Sequence, residues 1–110
     1  MSDNGNFEIL QKKVDNIIKE LGGYWPPLAM LAAALEEFGE LAREINALEQ
    51  IKPKKGHDKG NCLGEELADT LFALLCIANY YKIDISAEFT ASLTKYSQRD
   101  RDRFSNHSLS

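Results

Sequence analysis

Residues 27–49, PLAMLAAALEEFGELAREINALE, carry the longest helical pattern in this chain of 110 residues. Apolar side chains recur there every three or four residues along one face, a spacing typical of a helix that packs in a bundle. They are Leu28, Leu31, Leu35, Phe38, Ala42 and Ile45. Beside them runs a second apolar line of Met30, Ala34, Leu41 and Leu48. The stretch therefore predicts a long helix with the first line as its bundle seam and further apolar surface next to it.

The flanking sequence predicts three more helices and no strand. Gly22-Gly23 ends the first helix, and Pro26-Pro27 suits the first turn of the second, where no amide donor is needed. A turn and cap at residues 84–86 precede the fourth helix, which we expect to bury Phe89, Leu93 and Tyr96. The four helices are expected at about residues 7–21, 27–49, 62–81 and 87–103. We predict an all-α, four-helix bundle-like fold in a single domain, 1–110, with an ordered core of about 7–104.

Composition excludes several classes of protein. A content of 44% hydrophobic residues supports a packed core and excludes an intrinsically disordered chain. Seventeen acidic against thirteen basic residues give a net charge of −4, the opposite of what a non-specific nucleic-acid binder needs. The longest apolar stretch, residues 71–78, is too short to span a bilayer, and the polar N-terminus does not look like a signal peptide. We expect a cytoplasmic protein with no nucleic-acid or membrane partner.

Acidic residues fall in two pairs on the second and third predicted helices. Glu37 and Glu40 are three residues apart, as are Glu66 and Asp69, so each pair projects from one side of its helix. Both pairs adjoin apolar positions, which predicts that they point into the bundle or its mouth. Arg43 is the only basic residue within these two predicted helices, so pairing inside them cannot neutralise all four carboxylates.

Four converging carboxylates favour a bound divalent cation, because each would otherwise be costly to bury. Oxygen ligands without histidine favour Mg²⁺, or Mn²⁺, over zinc. The alternative is a solvated acidic face, since acids three residues apart are common on exposed helices. Periodicity alone leaves both interpretations open.

The acids form an ordered motif, Glu36-Glu37-Phe38-Gly39-Glu40 followed by Glu66-Leu67-Ala68-Asp69. This EExxE…ExxD arrangement resembles the MazG-like nucleotide pyrophosphohydrolases of the all-α NTP pyrophosphatase superfamily. Similar flanks are Gly23–Ala29, Ile77–Asn79 and Arg99–Phe104, so the resemblance covers about residues 7–104. It implies a MazG-type fold, Mg²⁺-dependent hydrolysis of nucleoside or deoxynucleoside triphosphates to monophosphate and pyrophosphate, and a homodimer or homotetramer. House-cleaning of non-canonical nucleotides is one role that it suggests.

The resemblance also assigns site residues. Glu37, Glu40, Glu66 and Asp69 match the family's metal ligands, Lys95 and Arg99 fall where related enzymes contact the nucleotide, and Trp25 falls near the base-binding segment. Some substrate contacts of relatives are replaced here by Ala47, Cys62 and Ala73, so base selectivity cannot be inherited.

Further basic residues and a candidate general base extend this site. Arg103 continues a basic stripe with Lys95 and Arg99, four residues apart, and Lys54 and Lys55 lie in a lysine-rich loop that could close over phosphates. A solvated stripe and a plain exposed loop are the alternatives, just as Trp25 could pack between helices rather than stack on a base. Glu36 or Glu37 is the candidate general base.

Acidic pairs on two helices are also compatible with two other kinds of protein. A ferritin-like di-iron site needs Glu-x-x-His on two helices, and the histidine is missing here. A non-catalytic helical interaction module would use its acids for solubility and an apolar face for a partner helix. Thermal stabilisation of the protein by Mg²⁺ distinguishes the two: we expect it for the enzyme and almost none for the module. We also expect oligomerisation through the extra apolar surface of the second helix.

Overall fold

A computed structural model of the chain describes residues 6–49 and 63–109, with side chains as far as residue 102. The described residues form four α-helices and no strand: α1 (Phe7–Glu20), α2 (Pro27–Leu48), α3 (Leu63–Tyr80) and α4 (Ile85–Leu109). The all-α prediction with four helices is confirmed. α4 is longer than predicted at both ends. None of the described helices combines the length and the apolarity that a membrane span requires.

The connection between α1 and α2 follows from its glycines and prolines. Gly22 and Gly23 have φ values of +110° and +108°, which a residue with a Cβ atom rarely adopts. The Gly23 amide donates to the carbonyl of Ile18 at 2.9 Å, a bond typical of a glycine-terminated helix. Pro27 then occupies the first turn of α2. The chain is thus reversed within six residues, and Trp25 lies at the exposed side of this turn.

The α2–α3 pair forms the largest helix–helix contact, and α1 packs across α3. The core holds Val14 of α1, Met30 of α2, and Leu75 and Cys76 of α3. Cys76 is a free thiol, and burial raises its pKa. This packing places α3 between α1 and α2, so α3 contributes side chains to its contacts with both helices.

The prediction for the seam of α2 is wrong. Ala34 and Ala47 are 2% and 1% exposed, whereas Leu28 and Leu35 of the predicted seam are 80% and 61% exposed. The face with small side chains lets α2 approach α3 closely, and the leucine-rich line turns outward. All six residues of the predicted seam are exposed: Leu28, Leu31, Leu35, Phe38, Ala42 and Ile45.

The expected burial of α4 side chains is also wrong. Phe89, Leu93 and Tyr96 are all about half exposed, because only the first turns of α4 rest on α1. There the rings of Phe7 and Phe89 meet edge to face, with centroids 5.6 Å apart. A helix of 25 residues is about 37 Å long, so most of α4 extends past the other helices.

Amide side chains bind α1 to the turn between α3 and α4. Gln11 Nε2 donates to Oδ1 of Asn79 at 2.8 Å and to the carbonyl of Ile83 at 2.9 Å, and its Oε1 accepts from the amide of Ile85 at 3.0 Å. Asn79 Nδ2 donates back to the carbonyl of Gln11 at 2.9 Å. The predicted cap at Asp84 is confirmed, since its Oδ1 accepts from the amide of Ala87. These bonds set the angle at which α4 leaves the body of the protein.

Candidate active site

Three carboxylates from two helices lie together at one end of the α2–α3 interface. Glu37 of α2, and Glu66 and Asp69 of α3, each offer an oxygen atom, and these atoms lie within 4.8 Å of one another. Glu37 and Glu66 are half-buried, and Asp69 is exposed. We call this group the acidic cluster. Close packing of α2 on α3 brings the two helices near enough for their acids to share one small volume.

Glu66 shows the electrostatic strain of the acidic cluster. Burial raises its pKa first, and the negative charge of Glu37 raises it further, followed by Asp69 and Glu40. Its Oε1 atom is buried without a hydrogen-bond partner in the described part of the chain. A buried carboxylate oxygen that faces like charges is stabilised by a cation or a proton. The acidic cluster therefore can bind metal.

The other acids of the motif lie beside the acidic cluster. Glu40 is not among the three acids that share the common volume, and its Oε1 accepts from Nη2 of Arg43 one turn further along α2. Glu36 is exposed, as expected for a residue about 100° around the helix from Glu37. Glu44, which follows Glu40 by one turn, is only 5% exposed. The structure thus brings together three of the four predicted metal ligands.

An apolar pocket of about 500 Å³ adjoins the acidic cluster, and Glu37 and Asp69 form part of its wall. The remainder of the wall is aromatic or aliphatic and comes from α1, the following turn, α2 and α3. These residues are Ile18, Leu21, Gly23, Tyr24, Trp25, Met30, Ala33, Phe72, Ala73 and Cys76. A flat hydrophobic group fits against this wall. A second group attached to it would then lie next to the carboxylates of Glu37 and Asp69.

The predicted substrate residues fall in three places. Trp25 lines the pocket. Lys95 and Arg99 lie on exposed α4, where each cation faces the ring of Tyr96, at 5.4 and 4.6 Å from its centroid, and neither lines the pocket. Lys54 and Lys55 lie outside the described residues, as does the side chain of Arg103.

Sequence reasoning missed most of the pocket wall. Phe72 could have been found, because it follows Asp69 by three residues and so shares its side of α3. Tyr24 carried no such signal, since its place depends on how the turn after Gly23 folds back onto α3. Ile18 and Leu21 belong to a helix that the acidic motif does not include.

Comparison with known proteins identifies the family. Residues 26–104 match the MazG nucleotide pyrophosphohydrolase domain. The chain is 40% identical over 105 residues to the uncharacterised protein YpjD of Bacillus subtilis (strain 168), which covers 94% of each protein. The crystal structure of YpjD from Bacillus subtilis superposes with a TM-score of 0.76 at 39% identity, over 87% of this chain and 98% of that one.

A second solved structure agrees with this match. The Bacillus-conserved MazG protein, described as a nucleotide pyrophosphohydrolase, superposes with a TM-score of 0.68 at 38% identity. The alignment covers 86% of this chain and 93% of that one. The fold is accordingly of the MazG type, and the motif that carries the acidic cluster lies inside the matched region. The chain belongs to the MazG nucleotide pyrophosphohydrolase family.

Proposed function

We propose that this protein hydrolyses nucleoside or deoxynucleoside triphosphates to the monophosphate and pyrophosphate, using Mg²⁺ held by the acidic cluster. The observation that carries the proposal is the juxtaposition of three carboxylates with an aromatic pocket. The pocket suits a base, and the carboxylates suit the metal that a triphosphate requires. Removal of non-canonical nucleotides is a role that the family resemblance suggests.

The acidic cluster has the chemistry of a site for a hard cation. Mg²⁺ takes oxygen ligands at about 2.0–2.1 Å in octahedral geometry, so adjacent ligands are about 2.9 Å apart and opposite ligands about 4.1 Å apart. The oxygen atoms of the acidic cluster, which lie within 4.8 Å of one another, would move closer together by side-chain rotation to bind the ion. Mn²⁺ accepts the same ligands. Glu37, Glu66 and Asp69 would hold the ion, and Glu40 would join them by leaving Arg43.

Hydrolysis breaks the bond between the α-phosphorus and the bridging oxygen of the β-phosphate. Glu37, Glu66 and Asp69 would hold Mg²⁺, which would supply charge that offsets the phosphates and would lower the pKa of a water molecule. A water oxygen would bond to the α-phosphorus, and pyrophosphate would leave with the electron pair of the broken bond. A carboxylate of α2 would accept the proton of the water. Glu37 is the better candidate for this role than Glu36, because Glu37 lines the pocket and Glu36 is exposed outside it.

The base would enter the apolar pocket. Trp25 and Phe72 offer aromatic surfaces on which a base can stack. Ala33 and Ala73 leave room between them, since neither carries a side chain longer than a methyl group. The wall is poor in side-chain hydrogen-bonding groups, so shape and stacking would dominate recognition of the base.

Cations for the triphosphate would come from α4 of a second copy of the chain. Within one chain, Lys95 and Arg99 do not reach the pocket, whereas α4 extends away from the body with an exposed apolar face. α3 also carries exposed leucines: Leu67, Leu71 and Leu74 are 53%, 38% and 41% exposed. Exposed apolar surface on both helices favours a homodimer or homotetramer.

Removing one carboxylate of the acidic cluster tests the chemistry. Glu37→Gln and Asp69→Asn should each lower kcat/KM for pyrophosphate release by about 100-fold or more, because a neutral amide binds Mg²⁺ weakly. Glu65→Gln is the matched control, since Glu65 is exposed in the first turn of α3 and outside the acidic cluster. Helicity by circular dichroism should be unchanged in all three. Wild-type turnover in either cluster variant would contradict the proposal.

Thermal unfolding with and without Mg²⁺ tests the metal site and the rival interaction module. Wild-type protein should gain stability with millimolar Mg²⁺, because the ion binds only the folded arrangement of the acids. Glu66→Gln should remove most of that gain and should raise the melting temperature in the absence of metal, since it relieves repulsion with Glu37. A Mg²⁺ effect equal in wild type and Glu66→Gln would indicate solvated acids and favour the interaction module.

The oligomeric state is tested by light scattering at micromolar concentration. We expect a dimer or tetramer, and we expect Leu35→Glu to dissociate it, because this side chain lies in the middle of the outward apolar face. Lys12→Glu, on exposed α1, is the control for a change of charge. A monomeric wild-type protein would contradict the assignment of this face.

A further inference from the structure

The hydroxyl of Tyr24 is fixed by two different helices. It donates to Oδ1 of Asp15 in α1 at 2.6 Å and accepts from Nδ2 of Asn79 in α3 at 3.1 Å. Burial and the bond to Asp15 raise the pKa of Tyr24 to about 12, so the hydroxyl keeps its proton at any physiological pH. In return, this bond and the ion pair with Lys19 lower the pKa of Asp15. The Tyr24 hydroxyl therefore remains a donor, and the Asp15 carboxylate remains its acceptor, at physiological pH.

Trp25 follows Tyr24 in a segment without helical hydrogen bonds. Gly22 and Gly23, both with positive φ, precede the two aromatic residues, and prolines follow them. The Trp25 side chain is 63% exposed, so packing alone holds it weakly. The nearest side-chain anchor on the segment is the hydroxyl of Tyr24.

The same helix carries this anchor and part of the acidic cluster. Asp69 and Asn79 are ten residues apart on α3, which corresponds to about 15 Å along the axis. Between them, Phe72 and Cys76 line the pocket. α3 thus sets the separation between the acids at one end of the pocket and the Tyr24–Trp25 segment at the other.

We propose that the Tyr24 hydroxyl is a positioning group for nucleotide binding: by joining its segment to Asp15 and Asn79, it holds the Trp25 wall of the pocket at a fixed distance from the acidic cluster. The inference rests on the proposed function, because a fixed wall matters only if a nucleotide spans the pocket. Tyr24 acts through Trp25 and not on the reacting atoms. Its loss weakens capture of the base and leaves the metal site intact.

Tyr24→Phe tests this, because it removes the hydroxyl and keeps the ring. The variant should raise KM about five- to tenfold, with a smaller change in kcat, and weaken binding of the α,β-imido analogues of the four deoxynucleoside triphosphates by a similar factor. Binding of Mn²⁺ alone, measured by calorimetry, should change less than twofold. Tyr81→Phe, an exposed tyrosine just after α3, is the matched control and should match wild type in each assay.

Variants of Asp15, which is half-buried, test the same bond from its acceptor. Asp15→Ala should reproduce the KM increase of Tyr24→Phe, whereas Asp15→Asn should retain most of the wild-type KM, because its amide oxygen still accepts from Tyr24. Lys19→Ala breaks the 3.0 Å ion pair with Asp15 and keeps the hydrogen bond, so it should behave as wild type. Equal KM values for Asp15→Ala and Asp15→Asn would overturn the inference.

Fluorescence separates failure of this inference from failure of the proposed function. Trp25 is the only tryptophan in the chain, so the decay of its anisotropy reports motion of this wall without turnover. The fast local component should grow in Tyr24→Phe and Asp15→Ala. If wild type neither cleaves nor binds any of the nucleotides, the proposed function fails. If it does, and the KM and anisotropy decay of Tyr24→Phe equal those of wild type, only the positioning role fails.

Discussion

Repulsion among Glu37, Glu66 and Asp69 is the constraint on which the rest of the structure depends. Their oxygen atoms lie within 4.8 Å of one another, a distance at which carboxylate charges repel. The helices do not separate to relieve it, because α2 and α3 share the largest helix–helix contact of the described residues, with Met30 of α2 and Leu75 of α3 buried in the core. Favourable apolar burial between α2 and α3 thus holds the carboxylates together despite their repulsion. A bound cation turns that repulsion into a net attraction.

α2 carries apolar residues on two faces. Met30 and Ala34 are buried within the chain, whereas the leucine-rich line faces outward. This division explains why a chain with so much hydrophobic surface encloses a small core, in which Val14, Met30, Leu75 and Cys76 are the buried members. α4 likewise extends past the body with half-exposed aromatic residues.

The sequence predicted the helices well, since glycine, proline and capping residues act locally. The helix ends predicted from Gly22-Gly23, Pro27 and Asp84 lie close to the ends in the structure. The direction in which α2 faces could not be predicted from periodicity, because both apolar lines have the spacing of a packed helix. The preference for the face with Met30 and Ala34 depends on how closely two helices approach, and this is a property of the pair. The predicted burial of Phe89, Leu93 and Tyr96 was wrong for the same reason, since it depends on how α4 packs on its neighbours.

The candidate site was predicted to a similar extent. Acids spaced three apart indicated which carboxylates share a side of each helix, and Glu37, Glu66 and Asp69 do meet. Pairing of Glu40 with Arg43 depends on rotamers that spacing does not specify. The pocket beside the acids also escaped prediction, since Tyr24 and Trp25 reach it only through a turn with two left-handed glycines.

The most direct measurement is X-ray diffraction from crystals grown with MnCl₂, using the anomalous scattering of manganese to locate the ion. We expect an anomalous peak between the carboxylates of Glu37, Glu66 and Asp69, with oxygen ligands and no protein nitrogen or sulfur. Carboxylates that point apart into solvent, with manganese bound elsewhere or not at all, would contradict a metal site in the acidic cluster.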